Sequence, residues 1–384
     1  MFQITSIFYN IGRVTGIIMS FIFRTPNSFL FFHSSSIGGA EKVHIDILEA
    51  LNSQKIITVI TENRSEKGWE STFQKFSYKC YDISNSNRNR KIFFFFLGYF
   101  SSWINNSKSI LVLGSASYFY YRLLPFLKVK NRINLLHALV NEGEIGFEHL
   151  SLNVINHIDK HVLINEKVKN DFQDFLKKNN LDLPESKFIV IDNGVRDFEE
   201  PSLNTENEVL HCLFVGRESK EKRVHILESI IKKCEQEKLP IHFTLIGSDF
   251  ETISNQNFSN TLILGKIIDR NELNTIYRKS DCLIICSSRE GFPNVIQEAM
   301  AFGVVPISTD VGGIPYHIKH KKNGILISKN LSETEIANEM ITNLLVFQNN
   351  IGELNRIKNK SFQYALNYFS MSLFVKKYQE LVKL

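Results

Sequence analysis

Short apolar runs alternate with segments of helical periodicity along most of the chain. In the first half, runs typical of strands occupy 28–33, 56–60, 109–113, 133–136, 161–164 and 188–191. In the second half, similar runs occupy 213–215, 243–246, 262–264, 283–285 and 305–307. Because helical patterns separate most of these runs, the sequence predicts parallel sheets covered by helices, an α/β architecture.

The length of 384 residues, with 43% hydrophobic and 22% charged residues, allows two domains with ordinary cores. We expect an extension over 1–27, a first Rossmann-like domain over 28–195 and a second over 209–365. The polar stretch 196–208 is predicted to be the hinge between them, and 366–384 a C-terminal helix.

The most informative stretch is 287–298, which follows the apolar run 281–286 and carries a Gly-x-Pro sequence. Pro293 suits the first position of a helix, and Gly303 suits its end. Free backbone N–H groups at the start of such a helix, together with its dipole, attract anions. We therefore expect a phosphate to bind the backbone from Phe292 to Val295.

Two glutamates flank this helix start, Glu290 in the loop and Glu298 one turn beyond Asn294. The buried face of this helix is expected to carry Val295, Ala299 and Phe302. Glu298 is then expected to point away from the core. Eight helical residues span about 12 Å, more than the roughly 5 to 9.5 Å between the carboxylates of a glycosidase. We interpret Glu298 as a ribose ligand and Glu290 as a sugar ligand; the alternative is two solvated glutamates beside an ordinary turn.

A second turn of the same kind follows the apolar strand 209–216, with the basic sequence 217–223 before a helical pattern over 224–237. Arg217 can contact a phosphate through two N–H groups, and Lys222 can supply a point charge. Such a turn can also be a solvated loop. Both turns would lie at carboxyl ends of one sheet, where open α/β folds bind ligands.

With these motifs the chain resembles the retaining glycosyltransferases of family 4, which have the GT-B fold of two Rossmann-like domains facing across a cleft. The resemblance runs from about residue 28 to the C-terminus and is strongest in the second half. The residues that carry it are Gly38-Gly39-Ala40-Glu41, Asn193-Gly194-Val195, Gly216-Arg217, Glu221-Lys222, 290–303, Pro306, Gly312-Gly313 and Asn323-Gly324.

The resemblance implies roles for the second half of the chain. Arg217 and Lys222 would neutralise the diphosphate leaving group, Glu298 would bind the ribose and Glu290 the donor sugar. Gly265 and the residues after it would contact the nucleobase through the main chain. The remaining substrate-binding positions are Gly216, Phe292, Pro293, Asn294 and Val295.

In the first half, Gly38 and Gly39 resemble the loop that closes on the phosphates and the acceptor. His137 matches a histidine that family members place beside the reacting sugar; the alternative is a packing or capping residue after a strand. The tail would cross back onto the first domain. Two positions depart from the family pattern, Arg223 where a Gly usually follows the lysine and Tyr316 where a Glu is usual.

The reaction that the resemblance implies is transfer of a hexosyl or related group from a nucleoside diphosphate sugar to an acceptor hydroxyl, with retention. A glycan or lipid-linked glycan acceptor would fit surface polysaccharide or lipopolysaccharide synthesis. The sequence has no Asp-x-Asp metal motif, so we expect no metal or other cofactor. The alternatives are an inverting transferase, a nucleotide-sugar epimerase and a non-catalytic binding subunit.

The net charge and the cysteine content limit the binding partners and the cellular compartment that we expect. A net charge of +5 and the absence of a recognisable motif do not suggest nucleic-acid binding. The five cysteines have neither metal-ligand spacing nor an even count, which indicates reduced thiols in a cytoplasmic protein.

Basic residues beside bulky apolar ones suit the surface of an anionic membrane, so a peripheral location on its inner face is the further expectation. Arg90 and Lys91 precede the aromatic run 92–100, and the alternative there is a buried helix with solvated ends. The apolar core of the extension, 14–23, is about half the ~20 residues that span a bilayer. We expect either an interfacial helix or a helix packed on the first domain.

Overall fold

The computed structural model describes residues 2–23, 28–36, 38–52, 54–62, 68–108, 111–139, 144–203, 209–248 and 250–383. Residues 24–27 of the expected extension and 204–208 of the expected hinge lie outside this part of the chain. The chain forms two compact units, the first made of Met1–Gly194 with Ser372–Leu384 and the second of Val195–Met371.

The first unit contains a parallel sheet of seven strands in the order β3-β2-β1-β4-β5-β6-β7. Its strands are β1 Ser28–Phe32, β2 Ile56–Ile60, β3 Lys79–Asp82, β4 Leu111–Ser115, β5 Arg132–Leu136, β6 Lys160–Leu163 and β7 Phe188–Val190. Its first seven helices are α1 Phe2–Ile22, α2 Gly39–Ala50, α3 Glu70–Phe76, α4 Arg90–Asn106, α5 Tyr118–Leu123, α6 Phe147–Leu152 and α7 Glu166–Lys178. The strand order reverses direction between β1 and β4, which creates a crevice at their carboxyl ends.

The second unit contains a parallel sheet of six strands in the order β10-β9-β8-β11-β12-β13. Its strands are β8 Leu210–Val215, β9 Ile241–Ile246, β10 Thr261–Gly265, β11 Cys282–Ile285, β12 Val305–Thr309 and β13 Ile325–Ile327. Its helices are α8 Val224–Gln236, α9 Glu251–Ser254, α10 Arg270–Lys279, α11 Asn294–Met300, α12 Ile314–His317, α13 Glu333–Asn349 and α14 Ile351–Tyr368. The predicted architecture of two parallel sheets is confirmed.

The last helix, α15 Met371–Leu381, packs in the first unit. Its Lys377 and Gln379 side chains donate hydrogen bonds to the carbonyls of Val190 (3.4 Å) and Ala50 (3.2 Å). Asn131 donates to the carbonyl of Leu381 at 2.8 Å. The C-terminal segment therefore completes the first unit after the chain has formed the second.

Helix α1 packs closely against α4 because glycines line their contact. A Cβ added to Gly12 would lie 2.0 Å from the Phe95 carbonyl oxygen, and one added to Gly98 would lie 2.1 Å from that of Tyr9. The aromatic run of α4 faces inward, with Phe93, Phe100 and neighbouring rings in the core of the first unit. Within the described residues, no helix combines the length and apolar character needed to cross a bilayer.

We predict that Gly98→Ala lowers the free energy of unfolding by about 1 to 3 kcal/mol, the usual cost of forcing extra atoms into a close-packed contact. Gly352→Ala on α14 is the matched control, because a Cβ there would be 3.5 Å from its nearest neighbour, an ordinary contact. Chemical denaturation of both variants measures the effect. Equal stability of the two would contradict the close packing of α1 on α4.

Candidate functional site

The loop after β8 and the loop after β11 lie side by side, because these strands are neighbours in the sheet. Lys222 Nζ donates to Glu290 Oε1 at 2.6 Å, and Ser287 Oγ donates to the same oxygen at 2.6 Å. The backbone N–H of Ser288 donates to the Glu221 carbonyl at 2.8 Å. The structure thus joins two predicted site residues, one from each turn, in a mostly buried ion pair.

Arg223 makes a second link between these loops. Its backbone is left-handed, with φ 48° and ψ 51°, a conformation that glycine adopts at least cost. The guanidinium donates to the carbonyls of Cys286 (2.7 Å) and Ser287 (3.1 Å). Arg223 therefore keeps the turn that a glycine would allow and adds two charge-assisted hydrogen bonds.

The Gly312-Gly313 pair fits closely against the loop that carries Glu290. Gly312 has φ +57°, and a Cβ there would lie 1.7 Å from the Glu290 carbonyl oxygen. The N–H of Gly313 donates to the Gly291 carbonyl at 2.5 Å. Only glycine permits this approach, so the pair fixes the backbone on which the Glu290 carboxylate is held.

Helix α11 begins one residue later than predicted. Pro293 is its N-cap, with an extended ψ of 129°, rather than its first helical residue. Phe292 is buried and stacks on the His317 ring with 4.3 Å between centroids. The predicted phosphate-binding backbone from Phe292 to Val295 lies at this short helix start, and its role remains a prediction.

Glu298 differs from expectation, because it is only 7% exposed instead of pointing away from the core. Arg270 Nη1 donates to Glu298 Oε1 at 2.9 Å, and the Tyr277 hydroxyl donates to Oε2 at 3.1 Å. Both partners lie on α10, a helix whose proximity to α11 is not evident from the sequence. A ribose at this carboxylate would have to share it with Arg270 and Tyr277.

The other predicted residues of this unit border the same sheet edge. Arg217 is exposed directly after Gly216. Together with hydrogen bonds from the Glu221 backbone and Ser219, the charges of Lys222 and Arg217 lower the pKa of the Glu221 carboxyl. Gly265 ends β10 with φ +67° and has open space around it. The exposed Arg217 and the uncrowded Gly265 thus both follow strands of this sheet at their carboxyl ends.

A histidine cluster occupies the crevice of the first unit, at the reversal between β1 and β4. His33 follows β1 and its Nδ1 lies 3.1 Å from the Ala116 carbonyl. On α2, His44 Nε2 lies 3.0 Å from His137 Nε2 and 2.9 Å from Ser115 Oγ. His137 follows β5, so three chain segments bring imidazole rings to one place.

Glu41 is buried next to these histidines and accepts hydrogen bonds from Ser34 Oγ (2.7 Å) and Ser36 Oγ (3.3 Å). A Cβ at Gly38 would lie 2.3 Å from Glu41 Oε2. A side chain at position 38 would therefore displace this carboxylate from its present position, and Gly39 begins α2. The substrate contacts expected for both glycines remain predictions.

Burial lowers the pKa of His137 to about 4, although the nearby Glu41 carboxylate acts in the opposite direction. Burial also lowers the pKa of His44 well below its ordinary value, with further contributions from His137 and His33. Both rings are consequently neutral near pH 7. In their contact, one Nε2 must carry the hydrogen and the other must accept it.

Sequence reasoning missed several of these residues. His33 ends the predicted strand run and His44 lies one turn after Glu41, two signals that could have been noticed. Arg270 and Tyr277 gave no signal, because only the tertiary fold places α10 beside Glu298.

Within the described ranges, no group of three or more His, Cys, Asp or Glu could hold a metal ion, and the five cysteines are free thiols.

Comparison with known sequences finds a match between residues 195–356 and the family described as glycosyl transferases group 1. An uncharacterized glycosyltransferase of Methanocaldococcus jannaschii, MJ1178, is 28% identical over 215 residues, 53% of this chain and 57% of that protein. An uncharacterized 41.2 kDa protein in the cps region of Klebsiella pneumoniae is 27% identical over 195 residues, 50% of this chain and 52% of that protein. The chain thus spans about half the length of these relatives.

Solved structures share the fold at low identity. HepE of Anabaena, solved in complex with UDP-glucose, has a TM-score of 0.68 and 15% identity over 93% of this chain and 99% of its own. A glycosyltransferase of Rickettsia africae has a TM-score of 0.73 and 17% identity over 93% of this chain and 97% of its own. The expected GT-B fold class is confirmed. The similarity to the glycosyl transferases group 1 family thus covers residues 195–356 of this chain.

Proposed function

We propose that the protein is a retaining glycosyltransferase that moves a sugar from a nucleoside diphosphate sugar to an acceptor hydroxyl. The observation that carries this proposal is the Lys222–Glu290 pair, held between the carboxyl ends of β8 and β11 inside the segment that matches the family model. The Lys222 ammonium group would bind a phosphate, and the Glu290 carboxylate would accept hydrogen bonds from sugar hydroxyls. The two neighbouring loops would thereby bind both sides of the bond that breaks.

In the proposed reaction, the bond between the anomeric carbon and the diphosphate oxygen breaks, and the acceptor oxygen bonds to that carbon. Lys222, the exposed Arg217 and the N–H groups at the start of α11 would stabilise the negative charge of the departing diphosphate. The diphosphate oxygen would take the acceptor proton. Because these groups supply positive charge themselves, we propose that transfer requires no metal ion.

Glu290 would accept hydrogen bonds from hydroxyls of the donor sugar. Its Oε1 already accepts from Lys222 and Ser287, which leaves Oε2 for a sugar. Glu298 would accept from the ribose beside Arg270, whose guanidinium could also face the phosphates. His137, neutral near pH 7, could accept or donate one hydrogen bond to the transferred sugar.

The relatives suggest which substrates to test first. A relative of this chain is encoded in a cps region, and HepE was solved with UDP-glucose. We therefore propose a hexose donor, with a glycan or lipid-linked glycan of a bacterial surface polysaccharide as acceptor. Uridine diphosphate sugars are the first donors to try.

We predict that Lys222→Ala and Glu298→Gln each slow release of nucleoside diphosphate from the donor at least tenfold, the effect of losing about 1.4 kcal/mol of transition-state stabilisation. Release can be followed without an acceptor, as slow hydrolysis, over a panel of nucleotide sugars. Lys220→Ala and Glu272→Gln are the matched controls, because both side chains are exposed on neighbouring segments. Full activity in either test variant would count against the assignment of the site.

Retention of configuration is a separate prediction. Proton NMR of the glycoside formed by the active donor and acceptor should show the anomeric configuration of the donor. The opposite anomer would identify an inverting transferase. Rearranged donor without any transfer would identify an epimerase.

A third prediction concerns His137. The pKa of His137 in the folded protein is about 4, below the ordinary value near 6.5. Between about pH 4 and 6.5 the unfolded chain therefore binds a proton at His137 that the folded protein does not bind. Stability is thus fully present above about pH 6.5 and falls on acidification, by up to about 1.4 kcal/mol per pH unit for this residue. Denaturation of wild type and His137→Gln from about pH 7.5 to 5 should show a smaller loss in the variant. With the exposed His242→Gln as control, identical slopes in wild type and His137→Gln would contradict a neutral His137.

A further inference from the structure

Helix α1 turns its large apolar side chains to solvent. Its exposed apolar residues are Ile7, Ile11, Val14, Ile18, Phe21 and Ile22, each between 48% and 66% exposed. Their spacing of three and four residues places them on one face, about 22 Å long at ~1.5 Å per residue. We call this face the α1 stripe. A continuous apolar stripe of this kind marks an interaction surface.

The opposite face of α1 explains the orientation of the stripe. Thr5 and Ser20 are buried on that face, and Gly12 and Gly16 lie against the backbone of α4. Small residues permit this close packing of the two helices, and large apolar residues there would not fit. The helix is thus fixed on the first unit by its small residues, with its apolar residues outward.

Basic side chains lie at both ends of the stripe. Lys91 Nζ lies 5.8 Å from the ring centroid of Phe8, near the start of α1. Lys79 Nζ lies 4.9 Å from the Phe23 ring just after its end. The Phe23 ring also contacts Tyr78, which is 51% exposed, with 6.2 Å between centroids. Exposed lysine and tyrosine beside apolar groups are typical of the water boundary of a bilayer.

The charges near the α1 stripe favour a membrane surface over a second copy of the chain as its partner. Neither α1 nor α4 contains an Asp or Glu, whereas Arg13, Arg90 and Lys91 lie on them. If the stripe paired with a second copy of the chain, these like charges would be brought together, which disfavours association. Anionic lipid headgroups would instead meet the basic groups while acyl chains cover the apolar residues.

We propose that the α1 stripe binds the protein to the surface of a bilayer with anionic lipids, with α1 lying in the plane of the headgroups. The bound helix would bury its apolar face at the boundary between headgroups and acyl chains. Lys79 and Lys91 would extend to the phosphates at its two ends. This attachment is independent of the proposed transferase activity, so either can fail without the other.

Co-sedimentation of the full chain with vesicles tests the proposal. We expect binding to vesicles of equal parts phosphatidylglycerol and phosphatidylcholine, with weaker binding to pure phosphatidylcholine. Ile11→Asn/Ile18→Asn should lower the partition coefficient at least about tenfold, because two apolar anchors are lost. Val346→Asn/Leu366→Asn is the matched control, because these residues are 47% and 40% exposed on helices of the second unit.

A further variant, Arg13→Gln/Lys91→Gln, should weaken binding to the anionic vesicles and reduce its dependence on salt. Thermal unfolding of each variant confirms that the fold is intact. Absence of wild-type binding to anionic vesicles, or equal binding by Ile11→Asn/Ile18→Asn, would overturn the proposal. So would a wild-type dimer that this variant converts to monomer without any vesicle binding, because a second copy would then cover the stripe.

Discussion

The ion pair between Lys222 and Glu290 joins the two loops on which the candidate site of the second unit depends. Both groups are mostly buried, and such a pair offsets its lost hydration only when further hydrogen bonds complete it. Ser287 supplies one of these bonds. Arg223 and Gly312 both contact the backbone of the loop after β11. The pair is therefore in place before any ligand arrives, the condition under which charges stabilise a transition state most effectively.

The histidine cluster of the first unit depends on the order of the strands in its sheet. His33 and Ser115 lie where β1 and β4 part, and His44 reaches them from the helix that follows the Gly38-Gly39 turn. Low-dielectric surroundings keep His44 and His137 neutral. His44 is sealed from solvent, whereas the partly exposed His137 can exchange a hydrogen bond with a neutral ligand. Each unit thus presents polar groups at the carboxyl ends of its own sheet.

The predictable parts of the structure were those determined by local sequence. The run Ile56–Ile60 matches β2 at both ends, because a buried parallel strand is continuously apolar. The edge strand β3 was missed, since its partly exposed residues lack that pattern. The burial of Glu298 could not be predicted, because its partners come from α10. The orientation of α1 could not be predicted either, because periodicity indicates an apolar face but not whether that face packs inward.

The most direct test of the central claim is thermal unfolding of the full chain with UDP, GDP, ADP, CMP and their sugars, each with and without EDTA. A ligand that binds only the folded state raises the melting temperature. We predict stabilisation by one nucleoside diphosphate and its sugars, unchanged by EDTA and lost in Lys222→Ala. No shift with any nucleotide, or an equal shift in Lys222→Ala, would contradict a nucleotide-sugar site between the loops after β8 and β11.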